Sequence, residues 1–206
     1  MEFITETLTT TFYSVPESVR YILIFFSSFI EGVPVIGSLF PGGTVALLIG
    51  SLSEGGFVQP LGAVIVVTIG TFAGDMVGFV VGRHFNHHPW LKTFIESEKN
   101  KKGWDIFDRH LALLVIFGKL IPVVRSTPSI FAAMRGIRFR RYVYYSAIGS
   151  ILWAFAGVYG GNALAKVLGG NASLLLIIGL LVVSGIVFAI RRIYTGHKKR
   201  KVNTIS

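Results

Sequence analysis

The sequence predicts an all-α polytopic membrane protein, built as an inverted repeat of two re-entrant helical hairpins plus transmembrane helices. Three observations carry that expectation. Of the 206 residues 52% are hydrophobic and 15% charged, where a soluble domain carries about a quarter charged; the mean hydropathy is +0.65. Two of the apolar regions are broken by proline and glycine. Four charged residues, Glu31, Asp75, Lys119 and Arg125, lie inside apolar regions.

Residues 1–20 form a polar, acidic and hydroxyl-rich lead. It lacks the basic and small-residue pattern of a cleaved signal, so Met1 is taken as the mature start. Residues 21–190 read as one membrane domain. It opens with an interrupted apolar region whose hairpin covers about 28–52, with breaks at Pro34, Pro41 and Gly42. A span follows at 57–82. Its glycines Gly70, Gly74, Gly78 and Gly82 recur every four residues, a small-residue seam for close helix packing. Residues 83–110 read as a cytoplasmic loop with a short amphipathic helix near Trp90 to Ile95.

The second hairpin covers about 111–135, "LALLVIFGKLIPVVRSTPSIFAAMR", with breaks at Pro122 and Pro128. Spans at 142–168 and 173–190 follow, and 191–206 is a basic tail. The tail and "RGIRFRR" hold half of the 20 basic residues. They flank apolar spans, where lysine and arginine fix topology and meet anionic lipid; this reading excludes nucleic acid as a partner. Cytoplasmic placement of the tail then orients every segment consistently, with the first hairpin entering from outside and the second from inside. Pairs of short spans in place of the hairpins fit the same residues. Broken segments at matching positions in oppositely oriented halves point to an inverted-repeat transporter with its site near the midplane.

A charge at membrane depth costs roughly 2.5–3.5 kcal/mol on insertion scales, so four of them mark a pathway. Arg125 follows Pro122 and precedes "STP", which sets it beside a broken helix end. A guanidinium there can hold a phosphate with two parallel hydrogen bonds, and Ser126, Thr127 and Ser129 add hydroxyls. Lys119 assists if the break at Pro122 brings it near. Glu31 and Asp75 are acids that balance these cations or carry a proton. The alternative for all four is internal ion pairing that only staples the halves together.

Other features carry less. His84, His87 and His88 lie in a polar loop without a ligand constellation, so no metal is expected. "FPGGT" lacks the strand–loop–helix context of a phosphate loop. Phenylalanine and tryptophan near span ends read as interface anchors. There is no cysteine, which excludes disulfides and thiol chemistry. No cofactor is expected.

Four motifs in order, "E31…FPGG", "AGDMVGFVVGR", "FGKLIPVVRSTPSIFAAMRGI" and "F…Y…IGSILWA", make the chain resemble the DedA family, also called the VTT or SNARE-associated-Golgi family. The resemblance covers about Ile30 to Ala156. It implies two re-entrant hairpins in an inverted repeat and transport of a phosphate-bearing lipid, undecaprenyl phosphate or a phospholipid, with proton coupling. Two positions depart from the family pattern: Gly43 stands where a second acid is usual, and Lys119 where arginine is usual. The resulting expectation is a multi-pass plasma- or inner-membrane lipid transporter, not an enzyme, with a cytoplasmic C-terminus. Its partners are an anionic lipid substrate, bilayer lipids and, optionally, further copies of itself. The competing classes are a proton-coupled ion or drug antiporter and a lipid phosphatase.

Overall fold

Apolar stretches without a proline become long helices, and the proline-bearing stretches become short ones. The computed structural model describes residues 14–34, 44–85, 107, 109–120, 125 and 127–168, and among these residues it is all-helical. Six helices follow in order: α1 (Glu17–Gly32), α2 (Thr44–Glu54), α3 (Pro60–Phe85), α4 (Leu111–Phe117, extended by a 3-10 turn Gly118–Leu120), α5 (Thr127–Met134) and α6 (Phe139–Leu168). Pro41, Gly42, Gly43, Pro122 and Ser126 lie outside the described residues. So do the amphipathic segment expected near 90–95, the span at 173–190 and the basic tail.

Two helices among the described residues are long and apolar enough to cross a membrane. At 1.5 Å per residue, α3 with 26 residues and α6 with 30 exceed the ~30 Å hydrocarbon thickness. The 11-residue α2 and 8-residue α5 reach only about half of it. Helix α1 begins at Glu17, inside the segment expected to be a polar lead. Pro16 precedes it and the acid in its first turn complements the helix dipole. It stops at Gly32, with Pro34 two residues later. Pro128 does not end a helix. It lies in the first turn of α5, where its missing N–H costs nothing.

Helices α3 and α6 run antiparallel. Val64 and Val67 near the start of α3 share a core with Trp153, Ala154 and Val158, at and beyond the middle of α6. Phe79 near the end of α3 stacks on Tyr142 at the start of α6, ring centroids 4.8 Å apart. The other helices pack on this pair in a reciprocal pattern: α1 on α3 and α4 on α6, then α2 on α6 and α5 on α3.

The glycine seam predicted on α3 is a packing seam. A methyl on Gly74 would lie 2.5 Å from the Phe29 carbonyl oxygen, and one on Gly82 2.8 Å from that of Ile130. Removing the side chain lets the α1 and α5 backbones approach. On α6, Gly161 does the same for α2, meeting the carbonyl of Leu47.

The short helices α2 and α5 end alike. Gly56 (φ +79°) follows α2 and Gly136 (φ +68°) follows α5. In each, the glycine N–H bonds three residues back and the next N–H five residues back: Gly56 to Ser53, Phe57 to Leu52, Gly136 to Ala133 and Ile137 to Ala132. This is the Schellman cap, which needs the left-handed residue that glycine adopts without strain. The two turns lie at opposite ends of the α3–α6 pair. Asn162 and Lys166 of α6 reach Glu54 at one end, while Phe79 meets Phe139 at the other.

The outer faces are apolar. Ile22, Leu23 and Phe26 of α1, Leu61, Ile65 and Ile69 of α3, and Ile151, Leu152 and Phe155 of α6 are exposed. The polar residues Ser28, Thr71, Ser146 and Ser150 are buried. This apolar-outside, polar-inside arrangement suits hydrocarbon as the surrounding solvent.

Candidate functional site

All four membrane-depth charges are buried: Glu31 and Arg125 are each 3% exposed, Asp75 and Lys119 each 2%. They form two adjacent ion pairs. One joins Arg125 to Glu31 and the other joins Lys119 to Asp75. Helix α3 supplies the scaffold for both. Thr71 and Asp75 are one turn apart on it and so share a face; Thr71 meets Arg125 and Asp75 meets Lys119.

The Lys119 pair is closed. The ammonium donates to the Ser146 carbonyl at 2.8 Å and to Ser150 Oγ at 2.5 Å, in addition to its contact with Asp75. A longer contact of 3.2 Å reaches Ser146 Oγ. Lysine has three N–H donors, and these partners account for all of them. Ser146 in turn donates from Oγ to Asp75 Oδ2 at 2.6 Å. Tyr142, Ser146 and Ser150 are spaced four apart on α6, one stripe facing α3 and α4. The lysine stem runs over Gly149, where a methyl would come within 3.1 Å of Lys119 Cδ.

The Arg125 pair is open. Nη1 lies 2.5 Å from Glu31 Oε1, a charge contact without an in-line hydrogen bond. Nη2 reaches Thr71 Oγ1 only at 3.4 Å. Nε has no hydrogen-bond partner among the described residues. The guanidinium lies over the ring of Trp153, 4.8 Å from its centroid. Two further buried polar atoms are unpartnered among the described residues: Trp153 Nε1, and Ser28 Oγ one turn before Glu31. An arginine has five donors and a buried donor left unpaired costs about 1–3 kcal/mol. Among the described residues the site therefore holds unused hydrogen-bonding capacity around one cation.

The charges singled out in the sequence are thus brought together in pairs, and Lys119 and Arg125 take different partners. Thr127 opens α5 half-buried, and Ser129 is buried against α3 near Gly78. Sequence reasoning missed Thr71, Ser146, Ser150 and Trp153. Trp153 is 6% exposed at mid-helix and covers Arg125. The available signal was their spacing, since 146, 150 and 153 repeat at helical intervals, interleaved with glycines 149 and 157. Among the described residues no group of three or more acidic, histidine or cysteine side chains could hold a metal.

The chain matches the family model described as the VTT domain over residues 40–163. It is 30% identical over 172 residues to an uncharacterized membrane protein, BU139, of Buchnera aphidicola from Acyrthosiphon pisum, covering 77% of this chain and 66% of that one. It is 27% identical to Protein DedA of Escherichia coli K12, covering 80% and 78% respectively. The Inner membrane protein YghB of the same strain is 24% identical over 73% of this chain and 70% of its own. No solved structure matches.

Proposed function

This chain belongs to the VTT-domain family, as its motifs suggested, and from that premise we propose that it transports a phosphate-bearing lipid across the inner membrane. The substrate class is undecaprenyl phosphate or a phospholipid. The observation that carries the reading is Arg125: a buried guanidinium, two residues before α5, whose Nε–H has no hydrogen-bond partner among the described residues. A phosphate oxygen is the acceptor that a planar, permanently charged donor set fits best.

In this reading α1–α2 and α4–α5 are two re-entrant hairpins of an inverted repeat. Several features support it: the half-thickness helices, the reciprocal packing on α3 and α6, and the matched glycine caps at opposite ends. The lipid tail stays in the bilayer while the head group passes between the hairpins. A phosphate arriving at Arg125 competes with Glu31. In this reading Glu31, the acid that shares Arg125 with the phosphate, is where coupling to protons would enter. Lys119 has its donors engaged, so its part is to hold the end of α4 against α3 and α6 rather than to bind the phosphate directly. The process is transport without covalent chemistry. The relatives named as membrane and inner membrane proteins support the location.

The test is lipid translocation in proteoliposomes containing a fluorescent short-chain phospholipid or undecaprenyl phosphate analogue. Arg125→Lys keeps the charge beside Glu31 but removes the fork, and its rate is expected to fall at least tenfold. A wild-type rate for that variant with both lipids would refute the assignment.

A further inference from the structure

We infer that Trp153 is part of the substrate site, donating its indole N–H, together with Arg125 Nε–H, to the oxygens of a phosphate group. This rests on the reading that Arg125 receives a lipid phosphate, and it adds a second donor residue to that site.

Trp153 lies mid-way along α6 and is 6% exposed. Its ring covers Arg125. That contact accounts for a flat aromatic ring, worth about 0.5–2 kcal/mol as a cation–π interaction. It does not account for an indole. A phenylalanine would supply the face without bringing a polar atom into the core. Buried tryptophan N–H groups usually find a partner, yet Trp153 Nε1 has none among the described residues. The same holds for Arg125 Nε, on the group stacked against it. Two unpartnered donors therefore belong to two side chains in face contact.

Nε1–H and Nε–H can only donate, so the ligand must be an acceptor. Arg125 adds a positive charge beside them, which favours an anion that can compete with Glu31 over a neutral carbonyl. Phosphate carries several acceptor oxygens on one centre and can take both bonds at once. Ser28 Oγ, likewise unpartnered among the described residues, lies on the same α1–α3 seam as Glu31 and Thr71, against Gly70.

The experiment uses the full chain in nanodiscs, with dihexanoyl phosphatidic acid and inorganic phosphate as the two probes. Trp153→Phe keeps the ring over Arg125 and removes only the N–H. It is expected to weaken probe binding by about tenfold in calorimetric titration, the size of one hydrogen bond to a charged acceptor. A parallel measurement leaves Trp153 intact. The chain has three tryptophans, so the double variant Trp90→Phe, Trp104→Phe leaves Trp153 as the sole emitter. Its fluorescence is expected to shift as either probe saturates.

Wild-type affinity in Trp153→Phe, with weakened affinity in Arg125→Lys, would overturn the inference and leave the Arg125 reading standing. Wild-type affinity in both would overturn both. If Trp153→Phe fails to fold, the sole-tryptophan emission decides: an unchanged spectrum at saturation overturns the inference and a shift supports it. Trp153-dependent binding of the phosphatidic acid without binding of inorganic phosphate supports the inference with a lipid head group as the source. Trp153-dependent binding of inorganic phosphate alone supports it with the free ion as the source.

Discussion

Lys119 and Asp75 are paired in the interior at 2% exposure each, and Ser146 and Ser150 take the remaining hydrogens of the ammonium. Removing one partner leaves a lone buried charge, whereas removing both leaves none. Lys119→Met is therefore expected to cost about 3–5 kcal/mol, and Lys119→Met with Asp75→Leu to recover most of that loss. Thermal unfolding of the detergent-solubilised variants measures it. A double variant no more stable than the single one would show that the pair is not the source of the cost.

The same pocket explains why a lysine stands at this position. Its three acceptors surround a compact ammonium, and the stem lies close against Gly149. A guanidinium is larger, planar and cannot reproduce those three directions. Lys119→Arg is expected to destabilise by about 1–3 kcal/mol, as overpacking does. If the chain transports lipid as proposed, the head-group preference is expected to stay unchanged, because the Lys119 donors are all engaged within the protein. A changed head-group preference in a translocation assay across phosphatidic acid, phosphatidylethanolamine and phosphatidylglycerol would contradict that.

The four charges were legible in the sequence because hydrocarbon makes any charge conspicuous. The short and long helices were legible because proline punctuates the former and is absent within the latter beyond Pro60. The pairing was not legible. Glu31 and Asp75 both stood as partners for Arg125, and which acid meets which cation depends on where Thr71 and Asp75 point on α3. Trp153 and Ser146 were hidden for another reason. Tryptophan and serine are ordinary in a membrane helix, and only the α3–α6 crossing gives them buried neighbours.

Adjacent glycines on α6 offer an internal control for the packing. A methyl on Gly161 would collide with the carbonyl of Leu47, whereas one on Gly160 would meet only Leu47 Cδ2, at 3.6 Å. Gly161→Ala is expected to lower stability by about 1–3 kcal/mol or more as α2 is pushed off α6. Gly160→Ala should be neutral or slightly stabilising, because alanine is the better helix former. Equal unfolding midpoints for the two variants would contradict the close approach of α2.

Glu54 at the end of α2 and Arg138 beyond the end of α5 lie at opposite ends of the antiparallel α3–α6 pair and are both exposed. If α1–α2 and α4–α5 are inverted hairpins, these two positions face opposite compartments. The absence of native cysteine makes the measurement direct. Glu54→Cys is expected to react with a membrane-impermeant maleimide added to intact cells. Arg138→Cys and Lys198→Cys are expected to react only after the membrane is opened, in keeping with basic residues on the cytoplasmic face. Glu54→Cys and Arg138→Cys both reacting from outside would rule out the inverted arrangement. Labelling of Lys198→Cys in intact cells would place the tail on the wrong side for it.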